Sequence, residues 1–155
     1  FERLTVITQN VDGLHQRAGS HNVVELHGSL WRVRCTQCGL KSEDRRVPLP
    51  EIPPRCPACG GLLRPDVVLF GEAVPEDVFS QAVAATATCD LFLVVGTSAV
   101  VYPAAALPML AKQNRAFVIE VNPEATPVTE IADVTILGRA GEILPRLSPP
   151  EDGAG

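Results

Sequence analysis

Four short apolar runs divide the chain, and each run stops at glycine or at polar residues. The runs are Leu4–Thr8, Asp90–Val95, Ala116–Val121 and Asp133–Leu137. They are rich in valine, isoleucine and leucine, and the second run is apolar at every position after its aspartate. A continuous apolar run of this length is typical of a strand that is buried on both faces of a sheet. The pattern therefore predicts strands that belong mostly to a parallel sheet.

Longer stretches between or after these runs have the pattern of helices. They are Glu76–Thr88, which follows Pro75, then Ala104–Asn114 and Gly141–Leu147. An alternation of strands and helices implies right-handed crossovers, which place successive strands in parallel pairs. The expected fold class is α/β, with a mostly parallel sheet that carries helices on both faces.

Polar or glycine-rich tips follow four of the predicted strands. The tips are Gln9–Gly13, Gly96–Ser98, Asn122–Glu124 and Gly138–Gly141. Ligands of open α/β sheets bind outside the carboxyl ends of the strands, and glycine lets the backbone approach a phosphate closely. Ordinary turns also favour these residue types, so the alternative is plain turn chemistry. Four tips together favour a nucleotide site, although the chain has neither a GxGxxG nor a GxxxxGK[ST] motif.

Two CxxC pairs provide the clearest chemical signal. The pairs are Cys35–Cys38 and Cys56–Cys59, and 17 residues separate them. This spacing is typical of a four-cysteine zinc site, in which each pair turns two thiolates onto one metal ion. Such a site is closed to water and substrate, so the zinc is expected to be structural. A disulfide framework is the alternative, and it is disfavoured because nothing else in the chain has the pattern of a secreted protein.

The composition limits the classes of partner. The formal net charge is −5, from 13 basic and 18 acidic residues, which argues against electrostatic binding of nucleic acid. No apolar run is long enough to cross a membrane, and no signal peptide is visible, so we expect a cytoplasmic protein with no membrane contact. Because the chain begins at Phe1 rather than Met and enters a strand almost at once, we expect it to be a fragment.

Six motifs in a fixed order resemble the sirtuins, a family of NAD-dependent protein lysine deacylases. The motifs are Thr8–His15 (TQNVDGLH), Glu25–Ser29 (ELHGS), the two CxxC pairs, Arg64–Glu72 (RPDVVLFGE), Gly96–Ser98 (GTS) and Val121–Glu124 (VNPE). The similarity extends from about Leu4 to Leu147 and is closest to the bacterial type. It implies a partial Rossmann-like sheet over residues 1–28 and 64–147, a zinc-binding module over 29–63, and a flexible tail over 148–155.

The resemblance assigns a catalytic role to His27. It matches the histidine that takes a proton from the hydroxyls of the nicotinamide ribose, and an imidazole suits this task because its ordinary pKa lies near working pH. Taken alone, His27 reads more simply as a structural histidine beside a tight turn at Gly28. Further matched positions imply contacts to NAD: Gln9, Asn10, Val11 and Asp12 at the nicotinamide and ribose, Gly96, Thr97 and Ser98 near the phosphates, and Asn122, Pro123, Glu124 and Ala140 at the adenosine.

The resemblance also implies a protein or peptide substrate that carries an acylated lysine. In the family the substrate adds as a strand beside the segment 67–72 and the loop around Val101, and backbone pairing of this kind tolerates many peptide sequences. The implied contact residues are Val67, Val68, Phe70, Gly71 and Val101. The implied products are nicotinamide, O-acyl-ADP-ribose and free lysine. Phe70 has an equal alternative as an ordinary core aromatic.

Two alternatives from other classes stay open at this point. One is a non-catalytic zinc-ribbon interaction module, which the basic residues near the first CxxC pair favour slightly. The other is a binder of NAD or ADP-ribose that is inactive because it is truncated. Sirtuins carry a glycine-rich, phosphate-binding loop upstream of the matched region, and this loop is absent from the chain, so the fragment itself is expected to bind NAD poorly. The remaining cysteine, Cys89, is predicted to be a buried thiol, and Trp31 is predicted to pack beside the metal module.

Overall fold

The computed structural model describes residues 3–147, so the predicted tail over 148–155 lies outside the described residues. Contacts divide the chain after Ala82 into two compact units. The strands are β1 (Val6–Thr8), β2 (Val23–Glu25), β3 (Gly28–Cys35), β4 (Lys41–Glu43), β5 (Leu63–Val67), β6 (Leu91–Val95), β7 (Phe117–Asn122) and β8 (Val134–Leu137). The α-helices are α1 (Leu14–Arg17), α2 (Glu76–Ala87), α3 (Leu107–Gln113) and α4 (Ala140–Leu147).

The first unit begins with a parallel pair of short strands. β1 pairs with β2 in the register Val6 to Val23, and the ladder is prolonged by a hydrogen bond from the Leu26 amide to the Thr8 carbonyl at 2.9 Å. Leu26 is only 1% exposed and anchors the end of this ladder in the interior. The residue that follows, His27, is therefore fixed at a strand end.

An antiparallel sheet of three strands, in the order β4-β3-β5, forms the rest of the first unit's sheet structure. β3 pairs with β5 at both of its ends, but the register shifts between Ser29 and Val33. At the start of β3, Gly28 has a φ of 78°, and a Cβ there would lie 2.0 Å from the Asp66 carbonyl oxygen. Only glycine allows β3 and β5 to approach this closely.

The second unit contains a parallel sheet in the order β6-β7-β8. Its core is formed by small and β-branched residues on these strands and on neighbouring segments: Val94, Ala111, Ala116, Val118 and Val128. α3 packs against β6 and β7, and α4 packs against β7. One buried carboxylate, Glu120, lies within β7 and accepts hydrogen bonds from the Thr126 and Thr129 hydroxyls, so its burial is compensated.

These elements confirm the predicted α/β class and its parallel strands, and they refine its details. The parallel strands fall into two ladders, β1-β2 and β6-β7-β8. The helix expected over Ala104–Asn114 is a 3₁₀ turn, Ala104–Ala106, followed by α3, which has a proline in its first turn. Proline suits a helix start because it lacks the N–H that would be unsatisfied there. Among the described residues, every helix is too short or too polar to cross a bilayer.

Candidate active site and metal centre

His27 lies between β2 and β3 and is held by contacts from two directions. Its carbonyl accepts a hydrogen bond from the Val68 amide at 2.9 Å, and its ring nitrogen Nδ1 lies 3.1 Å from the Gln9 carbonyl oxygen. The imidazole is partly buried. His27 is thereby joined to two of the predicted ligand-binding segments, one through its side chain and one through its backbone.

The contact with Gln9 determines which ring nitrogen of His27 carries the proton in the neutral form. A carbonyl oxygen can only accept a hydrogen bond, so Nδ1 is the donor and the lone pair remains on Nε2. An imidazole in this tautomer can accept a proton at Nε2, and the carbonyl at Nδ1 then stabilises the charged ring. The arrangement fits a general base.

The segment from Gln9 to Asp12 follows β1 and is fixed through its backbone. The Asn10 amide donates to the Thr8 hydroxyl at 3.0 Å, and the Leu30 amide donates to the Val11 carbonyl at 2.9 Å. The Asp12 side chain accepts a hydrogen bond from the amide of Leu14, the first residue of α1, at 3.0 Å. The structure thus brings the predicted nicotinamide segment and His27 together in the first unit.

The predicted substrate segment begins at Val67, the last residue of β5, and continues into a turn. The Glu72 amide bonds back to the Leu69 carbonyl at 2.9 Å, and this turn exposes Phe70 completely, with a relative exposure of 103%. Full exposure contradicts the alternative that Phe70 is a core aromatic. Gly71 lies in the same turn with a φ of 87°.

An ion pair between Arg64 and Glu72 closes this turn. Arg64 Nη1 lies 2.6 Å from Glu72 Oε1, and Arg64 Nη2 donates to the Val67 carbonyl at 3.0 Å. Glu72 also accepts from the Leu69 amide at 3.1 Å. The Arg64 guanidinium, followed by the Leu69 amide, lowers the pKa of Glu72 to about 2, so the carboxylate is ionised at any working pH. No pattern in the sequence predicted this ion pair, which we call the Arg64–Glu72 clamp.

In the second unit, the predicted cofactor residues lie at the strand ends. Gly96 follows β6 with a φ of 59°, and a Cβ there would meet no atom within 4 Å, so the backbone borders open space. The Asn122 side chain donates to the Thr97 carbonyl at 3.0 Å, and the Gly138 amide donates to the Asn122 carbonyl at 2.9 Å. Hydrogen bonds therefore join the tips of β6, β7 and β8. The other predicted residues of this unit are Ser98, Val101, Pro123, Glu124 and Ala140, of which Val101 is 41% exposed and Ala140 opens α4.

The four cysteines of the CxxC pairs converge in the first unit. Their sulfur atoms all lie within 4.8 Å of one another. The Cys35 and Cys59 sulfurs are 3.5 Å apart, and those of Cys38 and Cys56 are 3.8 Å apart. Four thiolates at the usual zinc–sulfur distance lie about 3.8 Å from one another. All four cysteines are free thiols, which contradicts the disulfide alternative.

Both CxxC pairs are shaped by a glycine that follows the second cysteine. Gly39 and Gly60 have φ values of 73° and 74°, and their amides bond back to the carbonyls of Cys35 and Cys56. The Cys38 and Gln37 amides point at the Cys35 sulfur and lower its pKa to about 6. At Cys59 the Gly61 amide opposes the effect of the neighbouring thiols, which nevertheless raise its pKa to about 12. Thiols this crowded ionise together only around a cation, so the cluster fits one zinc ion.

One further contact to the predicted cofactor segment was not expected from the sequence. The indole nitrogen of Trp31, on β3, donates to the Asp12 carbonyl at 2.6 Å. The two residues are 19 positions apart, and no local pattern links them. The sequence offered one hint of this contact: Trp31 is an aromatic residue close to the motif Glu25–Ser29, which contains His27.

The Sir2 family model matches residues 1–103. The NAD-dependent protein deacylase of Aquifex aeolicus (strain VF5) is 60% identical over 134 residues, which cover 86% of this chain and 56% of that protein. NAD-dependent protein deacylase 2 of Pyrobaculum aerophilum is 60% identical over 143 residues, which cover 92% of this chain and 57% of that protein.

Solved structures agree with these relatives. A crystal structure of a Sir2 homologue–NAD complex has a TM-score of 0.89 and 51% identity, covering 93% of this chain and 56% of that one. A Sir2–p53 peptide–NAD⁺ structure has a TM-score of 0.84 and 36% identity, covering 93% of this chain and 61% of that one. The chain thus spans little more than half the length of the relatives that it matches. Because the family model covers most of the chain and the fold agrees, the chain belongs to the Sir2 family.

Proposed function

We propose that the protein carrying this chain removes acyl groups from lysine side chains of proteins, in a reaction that consumes NAD. The observation that carries the proposal is the contact between His27 Nδ1 and the Gln9 carbonyl at 3.1 Å. It places a histidine with a free Nε2 lone pair next to the segment proposed to hold the nicotinamide ribose. The deacylase names of the relatives and the Sir2–NAD complex favour this function over a zinc-ribbon module or a non-catalytic binder.

The residues of this chain divide into four groups with separate tasks. Gln9, Asn10, Val11 and Asp12 hold the nicotinamide ribose, and Gly96, Thr97, Ser98, Asn122, Pro123, Glu124 and Ala140 hold the phosphates and the adenosine. Val67, Val68, Phe70, Gly71 and Val101 hold the acyl-lysine segment, and Cys35, Cys38, Cys56 and Cys59 hold one structural zinc ion. The exposure of Phe70 and Val101 supports a role in binding an apolar lysine stem.

A bound NAD would supply the bond between ribose and nicotinamide, which is exchanged for a bond to the acyl oxygen. One water molecule is consumed when the lysine nitrogen is released, so the products are nicotinamide, O-acyl-ADP-ribose and free lysine. His27 accepts the proton of a ribose hydroxyl at Nε2. The Gln9 carbonyl keeps Nδ1 protonated before the transfer and stabilises the positive ring after it. A zinc ion held by the four cysteine sulfurs would have no open position for water or substrate, so it would take no part in the reaction.

We also place the protein in the cytoplasm, without partners in nucleic acid or membrane. The cysteines that the structure describes are all free thiols, and clustered thiols hold zinc best in a reducing compartment. The net charge of −5 disfavours binding to phosphate backbones or anionic lipids.

The test replaces His27 in the full-length protein and measures nicotinamide release from NAD in the presence of an acetyl-lysine peptide. His27→Ala should lower kcat by about 10²- to 10⁴-fold, because general base catalysis contributes this much. His21→Ala, at an exposed loop histidine, is the matched control and should leave turnover unchanged. Turnover by His27→Ala at the wild-type rate would exclude His27 as the base.

A further inference from the structure

We propose that Trp31 is a positioning residue for NAD binding: its indole N–H holds the Asp12 carbonyl and thereby fixes the segment that contacts the nicotinamide ribose. This inference rests on the proposed function. It differs from simple packing beside the zinc, because it makes one hydrogen bond from a zinc-module strand responsible for part of the affinity for NAD.

The contact between Trp31 and the Asp12–Gly13 backbone is short and tightly fitted. Nε1 donates to the Asp12 carbonyl at 2.6 Å, between partly buried groups. A Cβ at Gly13 would lie 2.9 Å from Trp31 Cδ1 and 3.1 Å from Nε1, so the edge of the indole lies directly against the glycine backbone. Gly13 also has a φ of 70°, which side chains rarely adopt. The backbone at this point is shaped to fit the indole.

The irregular register of β3 makes this contact possible. Ser29 pairs with Asp66, whereas Val33 pairs with Pro65, so the residues between them lie outside the regular ladder with β5. The amide of Leu30, in this interval, bonds to the Val11 carbonyl at 2.9 Å instead. Successive residues of β3 therefore bind successive carbonyls of the cofactor segment, Leu30 through its backbone and Trp31 through its side chain.

Trp31 is itself anchored on the side of β4. Its carbonyl accepts a hydrogen bond from the Asp44 amide at 2.9 Å, and its amide donates to the Ser29 hydroxyl at 3.2 Å. Its position is thus set by the antiparallel sheet that leads to Cys35. At the opposite end of the cofactor segment, His27 contacts the Gln9 carbonyl. The segment from Gln9 to Asp12 is held at both ends by residues of the stretch 27–31.

The test separates the hydrogen bond from the bulk of the ring. Trp31→Phe keeps an aromatic ring but removes the N–H, which leaves the Asp12 carbonyl without this donor. In the full-length protein we expect about a 3- to 10-fold rise in the KM for NAD, and in its Kd by calorimetry, which corresponds to one hydrogen bond. The KM for the acetyl-lysine peptide, the zinc content and the Tm should stay near those of the wild type.

Two further variants complete the test. Val47→Ala truncates a side chain of the predicted zinc-binding module that is 79% exposed, so its KM for NAD should be unchanged. Gly13→Ala keeps the Trp31 side chain but adds a Cβ 2.9 Å from its Cδ1 atom, which forces the backbone and the indole apart. It should raise the KM for NAD, and it replaces Trp31→Phe as the test if that variant does not fold.

Wild-type kinetics for NAD in Trp31→Phe, with an active wild-type protein, would overturn the inference and leave the proposed function intact. An equal rise in the KM values for NAD and for the peptide, together with loss of zinc, would also overturn the inference. These effects would show that Trp31 acts only by packing. A wild-type protein that neither binds NAD nor turns it over would instead refute the proposed function, and the inference with it.

Discussion

The Gly28 backbone determines where the catalytic histidine candidate lies. Gly28 follows His27 directly, has a φ of 78° and leaves no room for a side chain against Asp66. The same residue starts β3, and its pairing with Val67 brings the proposed substrate segment next to His27. A glycine in this place is therefore required by two constraints, the left-handed conformation and the close approach of β5.

Replacing Gly28 by alanine should separate these two constraints. Gly28→Ala should lower the free energy of unfolding by about 3 kcal/mol or more, because the left-handed strain adds to a clash with the backbone of β5. Gly19→Ala is the control, since Gly19 also has a positive φ, 90°, but a Cβ there would meet nothing within 4 Å. It should cost about 1 kcal/mol. If denaturant titrations show the same decrease in the free energy of unfolding for both variants, the close approach of β3 to β5 is unimportant.

At the scale of elements, the turn after β5 depends on the carboxylate of Glu72. This group binds Arg64 and the Leu69 amide, and both contacts hold the turn that exposes Phe70. The turn lies in the middle of the proposed substrate segment. Its conformation is thus set by an ion pair rather than by burial of apolar side chains.

The pKa of Glu72 gives this clamp a defined pH dependence. The pKa falls from 4.5 to about 2 on folding, so the clamp contributes fully above pH 4.5 and its contribution is lost as the pH falls toward 2. Glu72→Gln should lower the Tm at pH 7, and the difference from the wild type should shrink progressively below pH 4.5. Glu43→Gln, on exposed β4 beside Arg45, is the control and should change the Tm less. A difference for Glu72→Gln that is constant from pH 7 to pH 3 would exclude the clamp.

The strands differ in how clearly the sequence predicts them. The strands β6, β7 and β8 are apolar runs rich in valine, isoleucine and leucine, and this composition makes them visible in the sequence. The expectation that the β6 run is buried on both faces is not met, because Leu91 and Leu93 are 38% and 42% exposed. β2 has only three residues and β3 carries arginines, so neither has a clear apolar period. Their pairing depends on partners distant in sequence, such as β5, and on the cysteine cluster. The zinc ligands were found because their spacing is local, whereas the bond between Trp31 and Asp12 has no local signal.

At the scale of the molecule, the four-cysteine cluster joins two distant parts of the predicted zinc-binding module over 29–63. The cluster lies at the end of β3 and in the loop before β5, where exposed apolar residues such as Val47 and Ile52 show that little core is formed. A small module of this kind needs a metal ion or another cross-link to be stable.

We expect one zinc ion per chain by elemental analysis of the full-length protein. Cys56→Ser should abolish stoichiometric zinc and lower the Tm by on the order of 10 °C, because zinc binding contributes directly to folding. Cys89→Ser removes the one remaining cysteine, which lies in the second unit, and should keep the zinc. A zinc-free protein with an unchanged Tm would contradict a structural metal site.

The proposed NAD-dependent deacylation is tested most sharply by the fate of the acyl group. The full-length protein, incubated with NAD and an acetyl-lysine peptide, is analysed by mass spectrometry for both products. We expect one O-acetyl-ADP-ribose and one nicotinamide for each lysine released, with all three lost in His27→Ala. Release of lysine without consumption of NAD, or with free acetate as the initial product, would contradict it.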